Sequence, residues 1–142
     1  MIVLDAYAVL AFLRAEPAAD EVAALLRRQC AMSAANLAET FDQLVRVFRR
    51  PADDVYGDLA LLGHAGLDIV PVDADIALAA GALRARHYHR QHSPLSLADC
   101  LAAATALARR AELATADPPL AALMRAEDGQ VVALPDSRGN RP

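Results

Sequence analysis

Strand-like and helix-like stretches alternate along the whole of this chain, and that alternation limits its fold more than any single residue does. Short apolar runs that read as strands fall at 2–5, 30–33, 67–72, 112–115 and 131–134. Between them lie stretches of helical character at 8–14, 18–29, 35–49, 52–64, 73–90, 96–110 and 118–127. Strands separated by helices cannot pair as hairpins, so the pattern predicts a mostly parallel sheet covered by helices on both faces, a three-layer α/β/α sandwich. There is no repeat and no internal linker. One domain is expected over 1–134, followed by a polar tail, 135–142, rich in Gly and Pro and expected to fray. The helix from Ala35 carries Leu37, Phe41, Leu44, Val45 and Phe48, a spacing that predicts a core-facing stripe, and Pro51 stops it.

A chain of 142 residues is long enough to bury a core without staples. Its two cysteines form neither a disulfide framework nor a CxxC pair. No apolar run reaches membrane-spanning length, and the opening Met1-Ile2-Val3-Leu4-Asp5 lacks the basic region of a secretory signal. A soluble protein of the reducing cytoplasm is expected. All 14 basic residues are Arg, and the net charge of −4 argues against broad electrostatic capture of nucleic acid. The charge leaves room for a nuclease, because clustered catalytic acids themselves lower the count.

Four acids stand out. Asp5 and Asp117 close strand-like runs, and open α/β sheets bind ligands at the carboxyl ends of their strands. Each also suits a helix N-cap, Asp117 especially, since Pro118 and Pro119 follow it. Asp99 begins a helix whose only other polar side chain from Leu97 to Ala108, apart from Cys100, is Thr105. Ser96 and Asp99 fit a capping box, yet an acid against so apolar a helix needs a partner, and no cation lies within a turn of it. Glu39 lies about 160° around its helix from the Leu37/Phe41/Phe48 stripe, counting about 100° per residue, which places it toward solvent on periodicity alone. Carboxylates gathered at one mouth point to a divalent cation, and the cation to chemistry on phosphate. Arg84, Arg86 and Arg90 form a candidate phosphate-contacting patch. His87, His89 and His92 do not share a helical face and make a poor metal site.

Taken together, Ile2-Val3-Leu4-Asp5-Ala6, Ser33-Ala34-Ala35-Asn36-Leu37-Ala38-Glu39, Leu95-Ser96-Leu97-Ala98-Asp99-Cys100-Leu101-Ala102 and Leu113-Ala114-Thr115-Ala116-Asp117 resemble a PIN domain of the VapC-type toxin ribonucleases. The resemblance covers roughly residues 1 to 134. It implies an acidic metal site of Asp5, Glu39, Asp99 and Asp117, with Thr115 orienting the last acid. It further implies Mg²⁺ or Mn²⁺ as cofactor, an RNA substrate such as transfer RNA, cleavage leaving a 5′-phosphate and a 3′-hydroxyl, a cognate antitoxin and a homodimer. One departure is Tyr7, where these proteins usually carry a small Ser or Thr.

Rival readings are fewer. A haloacid-dehalogenase-like phosphatase needs a second Asp where Tyr7 stands, and a phosphorylated receiver needs a Lys that this chain lacks. The remaining alternative is a catalytically inactive PIN-like module that binds RNA or protein.

Overall fold

A computed structural model describes residues 1–142 and shows a single five-stranded sheet flanked by seven helices. In chain order these are β1 (Ile2–Leu4), α1 (Ala6–Leu13), α2 (Ala19–Leu26), β2 (Cys30–Ser33), α3 (Ala34–Asp42), α4 (Ala52–His64), β3 (Asp68–Val70), α5 (Ala74–His87), α6 (Leu97–Ala108), β4 (Glu112–Thr115), α7 (Pro118–Ala126) and β5 (Val131–Ala133). The strand order is β3-β2-β1-β4-β5. Every pair is parallel, as the alternation requires. All five expected strands and all seven expected helices are present.

Strand periodicity divides the core between the two faces of the sheet. Ile2, Leu4, Met32 and Ala114 pack with α1, α2 and α4, whereas Val3, Ala31 and Leu113 pack with α5, α6 and α7. Each fully buried Leu or Ile side chain here contributes about 1.5–3 kcal/mol. The small side chains of α6, with Ala102, Ala103, Ala104 and Ala106 all buried, let that helix lie close against the sheet.

Chain connectivity also sets where a crevice opens at the strand ends. From the central strand β1 the chain runs to β2 and β3 on one side, and β4 and β5 lie on the other. The order therefore reverses between β1 and β4, the point where open α/β sheets bind ligands. Their register pairs Leu4 with Ala114, so one residue further on Asp5 stands beside Thr115.

Two expectations from periodicity are refined. The expected stripe does face the core, with Leu44 buried and Leu37, Phe41, Val45 and Phe48 half-buried against it, but the most buried positions on α3 itself are the polar Asn36 and Thr40. Each of these polar side chains makes a hydrogen bond, although Asn36 Oδ1 is buried without a partner. Asn36 Nδ2 donates to Ala98 O at 3.3 Å, and Thr40 Oγ1 donates to Asn36 O at 2.7 Å. Leu37 and Phe41 also line an apolar groove of about 500 Å³ with Tyr56, Leu59 and Ile69. The expected single helix 35–49 also changes type, because Gln43–Val47 forms a π-helical turn. Phe48 N reaches Gln43 O at 3.0 Å, and the left-handed Arg49 (φ 57°) ends the run before Pro51.

Residues 135–142, marked by composition as a fraying tail, contact the domain. The Tyr7 hydroxyl donates to Pro135 O at 2.9 Å, and Arg141 pairs with Glu21 of α2. No helix is long and apolar enough to cross a membrane.

Candidate metal centre

A cavity of about 320 Å³ opens at the carboxyl ends of β1 and β4. Its lining includes Asp5, Glu39, Asp99 and Asp117, which lie up to 112 residues apart in sequence, so folding brings together all four acids singled out above. No Arg or His lines it. Ala6, Tyr7, Leu10, Gln43, Ala116 and a fifth acid, Asp136, complete the wall.

Helix capping positions three of these carboxylates. Asp5 is the N-cap of α1, its Oδ1 accepting Ala8 N–H at 2.8 Å. Asp117 is the N-cap of α7, its Oδ2 accepting Leu120 N–H at 2.9 Å, with Pro118 at the first helical position. Asp99 closes a reciprocal capping box on α6: Ser96 Oγ accepts Asp99 N–H at 3.0 Å, and Asp99 Oδ2 accepts Ser96 N–H at 2.7 Å. Asp99 is thus half-exposed and already partnered by Ser96, which corrects the expectation of an acid left without a partner against a packed helix. Three helix N-termini meet at the mouth, and their dipoles offset part of the gathered negative charge. Capping consumes one oxygen of Asp99 and one of Asp117, which leaves each a second oxygen for another partner.

Glu39 reaches the cavity from α3, half-buried rather than pointing to solvent. The first turn of α3 is drawn onto α6 by the Asn36–Ala98 bond, and this carries Glu39 over the strand ends. Gln43 Nε2, at the start of the π turn, lies 3.5 Å from Glu39 Oε1. Thr115 lies between the two strand-end acids: its Oγ1 accepts Asp117 N–H at 3.0 Å, and its hydroxyl favours the ionised Asp5 carboxyl.

Electrostatics agree with a site short of positive charge. Burial pushes the Asp5 carboxyl up to about 7, against the hydrogen bonds from Thr115 and Ala8 and with added repulsion from Asp99 and Asp117. Glu39 and Asp117 are raised as well, mainly by burial and then by the charge of Asp99.

An all-carboxylate donor set suits a hard divalent ion such as Mg²⁺ or Mn²⁺ and does not suit zinc, which favours His and Cys. No three of these side chains are drawn to the spacing of a closed ion site. Open spacing is compatible with Mg²⁺, which is bound through few carboxylates and keeps several waters.

The arginine patch lies elsewhere. Arg84 Nε donates to Leu95 O at 3.0 Å and its guanidinium stacks 4.4 Å from the Tyr88 ring centre. Arg86 pairs with Glu127 at 2.8 Å, and neither these two nor Arg90 lines the cavity. Sequence reasoning missed Gln43 and Asp136. Asp136 could have been found, because it lies three residues beyond β5, where the strand-end rule that selected Asp5 and Asp117 also applies.

Comparison with known proteins bears on the same region. The PIN-domain family model matches residues 2–126. Among curated proteins no sequence matches. Solved structures share the fold at low identity. A toxin–antitoxin complex from Klebsiella pneumoniae superposes with TM-score 0.68 at 21% identity, covering 93% of this chain and 96% of that one. VapC20 of Mycobacterium tuberculosis, a sarcin–ricin-loop-cleaving toxin, gives 0.71 at 19%, covering 86% and 94%. VapBC2 of Rickettsia felis, solved bound to a promoter DNA fragment, gives 0.69 at 19%, covering 93% and 98%. With the family model spanning nearly the whole chain and the parallel sheet in place, this protein belongs to the PIN-domain family.

Proposed function

We propose that this protein is a metal-dependent endoribonuclease acting as the toxin of a toxin–antitoxin pair in the cytoplasm. The observation that carries the reading is the convergence of Asp5, Glu39, Asp99 and Asp117 on one cavity that no basic side chain lines. Asp5, Asp99 and Asp117 hold the cation, directly or through water, by the carboxylate oxygens that capping leaves over. Glu39, on a separate helix and half-buried, holds a second ion or orients the attacking water. Thr115 orients Asp117, whose N–H it accepts. When bound, Mg²⁺ or Mn²⁺ supplies an activated water and offsets charge on the phosphodiester. The exclusion of basic groups keeps the acids available for that cation rather than for internal salt bridges.

Its solved structural neighbours include toxin–antitoxin complexes, which supports a cognate antitoxin as partner. RNA as substrate, transfer RNA among the candidates, and a homodimeric state are part of the same proposal.

A specific observation also favours an inactive binding module: Asp5, Asp99 and Asp117 each have a complete structural task as a cap. Incubation of total RNA with purified protein and Mg²⁺ or Mn²⁺, beside EDTA and Asp99→Asn controls, separates the two. Metal-dependent cuts absent from both controls support the nuclease. No cleavage by folded protein across several RNA pools refutes it and favours the module.

A further inference from the structure

The segment after β5 forms a wall of the mouth. Pro135 is buried and its carbonyl accepts the Tyr7 hydroxyl at 2.9 Å. Next to it, Asp136 lines the cavity while its Oδ1 accepts the N–H groups of Arg138 and Asn140, both at 2.8 Å. Asp136 N donates to Asn140 O at 2.7 Å, and Gly139 N donates to Asp136 O at 2.9 Å. Gly139 adopts φ 86°, which a glycine accepts without strain and which closes the turn. At the far end Arg141 pairs with Glu21 on α2 and reaches back to Ala133 O. The loop is therefore bonded internally and tied down at both ends.

Those bonds decide what the loop offers. The Asp136 carboxylate is occupied by its own turn, whose backbone N–H groups hold it ionised below the usual carboxylate range. The turn also fixes the main chain of Arg138, whose exposed guanidinium is outside every ion pair and side-chain hydrogen bond of the structure. Its charge is close enough to act on Asp136. Arg84 and Arg86, by contrast, are held by Leu95 O and Glu127.

A mouth lined by five carboxylates repels a polyphosphate chain, so the flanking phosphates need cations at the rim. We infer that the loop 135–141, latched by Tyr7, is a substrate-contacting rim on which Arg138 binds a backbone phosphate of RNA entering the cavity. This rests on the ribonuclease reading and adds to it a specific contact and a role for Tyr7.

The test is equilibrium binding of end-labelled bulk transfer RNA to the full chain carrying Asp99→Asn, by fluorescence anisotropy over a salt series with Mg²⁺ present. Arg138→Ala should weaken binding across RNA sequences and lower the slope of log K against log salt by about 0.7–0.9, the signature of one lost phosphate contact. Arg138→Lys should keep the slope. Tyr7→Phe removes only the latch donor and should weaken binding, with Arg138→Ala costing less on that background than alone. An unchanged slope and affinity in Arg138→Ala, with an unchanged melting temperature, overturns the inference, as does failure of the starting protein to bind the RNA at all. Cleavage by wild type that Arg138→Ala leaves unaltered in kcat/KM refutes the rim contact alone. Binding that depends on Arg138 in a wild type that cuts nothing refutes the nuclease reading alone.

Discussion

Replacing Asp5 by Asn in metal-free protein should stabilise it at pH 8. Asp5 is only 4% exposed at the switch point of the sheet, and burial raises its carboxyl from 3.8 to about 7. Between those values the folded protein holds a proton that the unfolded chain has released. Stability therefore falls as pH rises through this window, and the loss is complete above pH 7. A shift of this size corresponds to about 4 kcal/mol, at about 1.4 kcal/mol per pH unit. Asn keeps an oxygen for Ala8 N–H and carries no charge, so the variant lacks this loss. Urea denaturation of both proteins with EDTA, from pH 4 to 8, reads the difference directly. The variant's advantage should grow with pH to about 4 kcal/mol, equivalent to about 2 M in urea midpoint at a slope near 2 kcal/mol/M. Mn²⁺ should close most of the gap at pH 8, since a ligand at 100 times its Kd adds about 2.7 kcal/mol to the protein that binds it. A difference that stays flat from pH 4 to 8, or an Asn variant weaker than wild type at pH 8 without metal, would refute the reasoning.

Gly129→Ala should cost about 1–3 kcal/mol by urea denaturation. Its Cβ would sit 2.6 Å from Met124 Cε and 3.0 Å from Met124 O, and Met124 is fully buried. Cys30 and Cys100 are both buried, and burial holds the Cys100 thiol at about 11. Neither should react with a thiol reagent at pH 8 until the protein unfolds, and rapid labelling of native protein would contradict the burial.

Alternation made most of this fold legible and strand-end chemistry two of the cavity acids, Asp5 and Asp117, because both depend on local pattern; Asp99 stood out against its apolar helix, and Glu39 only through the family resemblance. The polar burial on α3 was not legible. A period-3.6 count ranks positions by apolarity, and here Asn36 and Thr40 outrank Phe41 in burial only because α6 presents the Ala98 carbonyl to Asn36. That same tertiary contact turns Glu39 from the solvent side to the mouth. Asp136 escaped because a Gly- and Pro-rich composition reads as loose chain. The bonds that order the loop come from Tyr7 and Glu21, more than a hundred residues away in sequence.

Capping and function stood as competing explanations for Asp117, but they do not exclude one another in one side chain. Oδ2 caps α7 through Leu120 N–H, while the residue lines the cavity. Substitution can separate the two tasks. Serine is as good an N-cap as aspartate, whereas alanine forfeits about 1 kcal/mol. In metal-free protein Asp117→Ser should therefore match or exceed wild-type stability, because the cap stays and a half-buried charge repelled by Asp99 is gone. Asp117→Ala should fall below Asp117→Ser by about 1 kcal/mol. With millimolar Mn²⁺ the ranking must change: wild type gains in melting temperature, while both variants gain little and cleave no RNA. If Asp117→Ser keeps the full Mn²⁺-induced rise, Asp117 is a cap and nothing more, and the metal centre must be rebuilt on Asp5, Asp99 and Glu39.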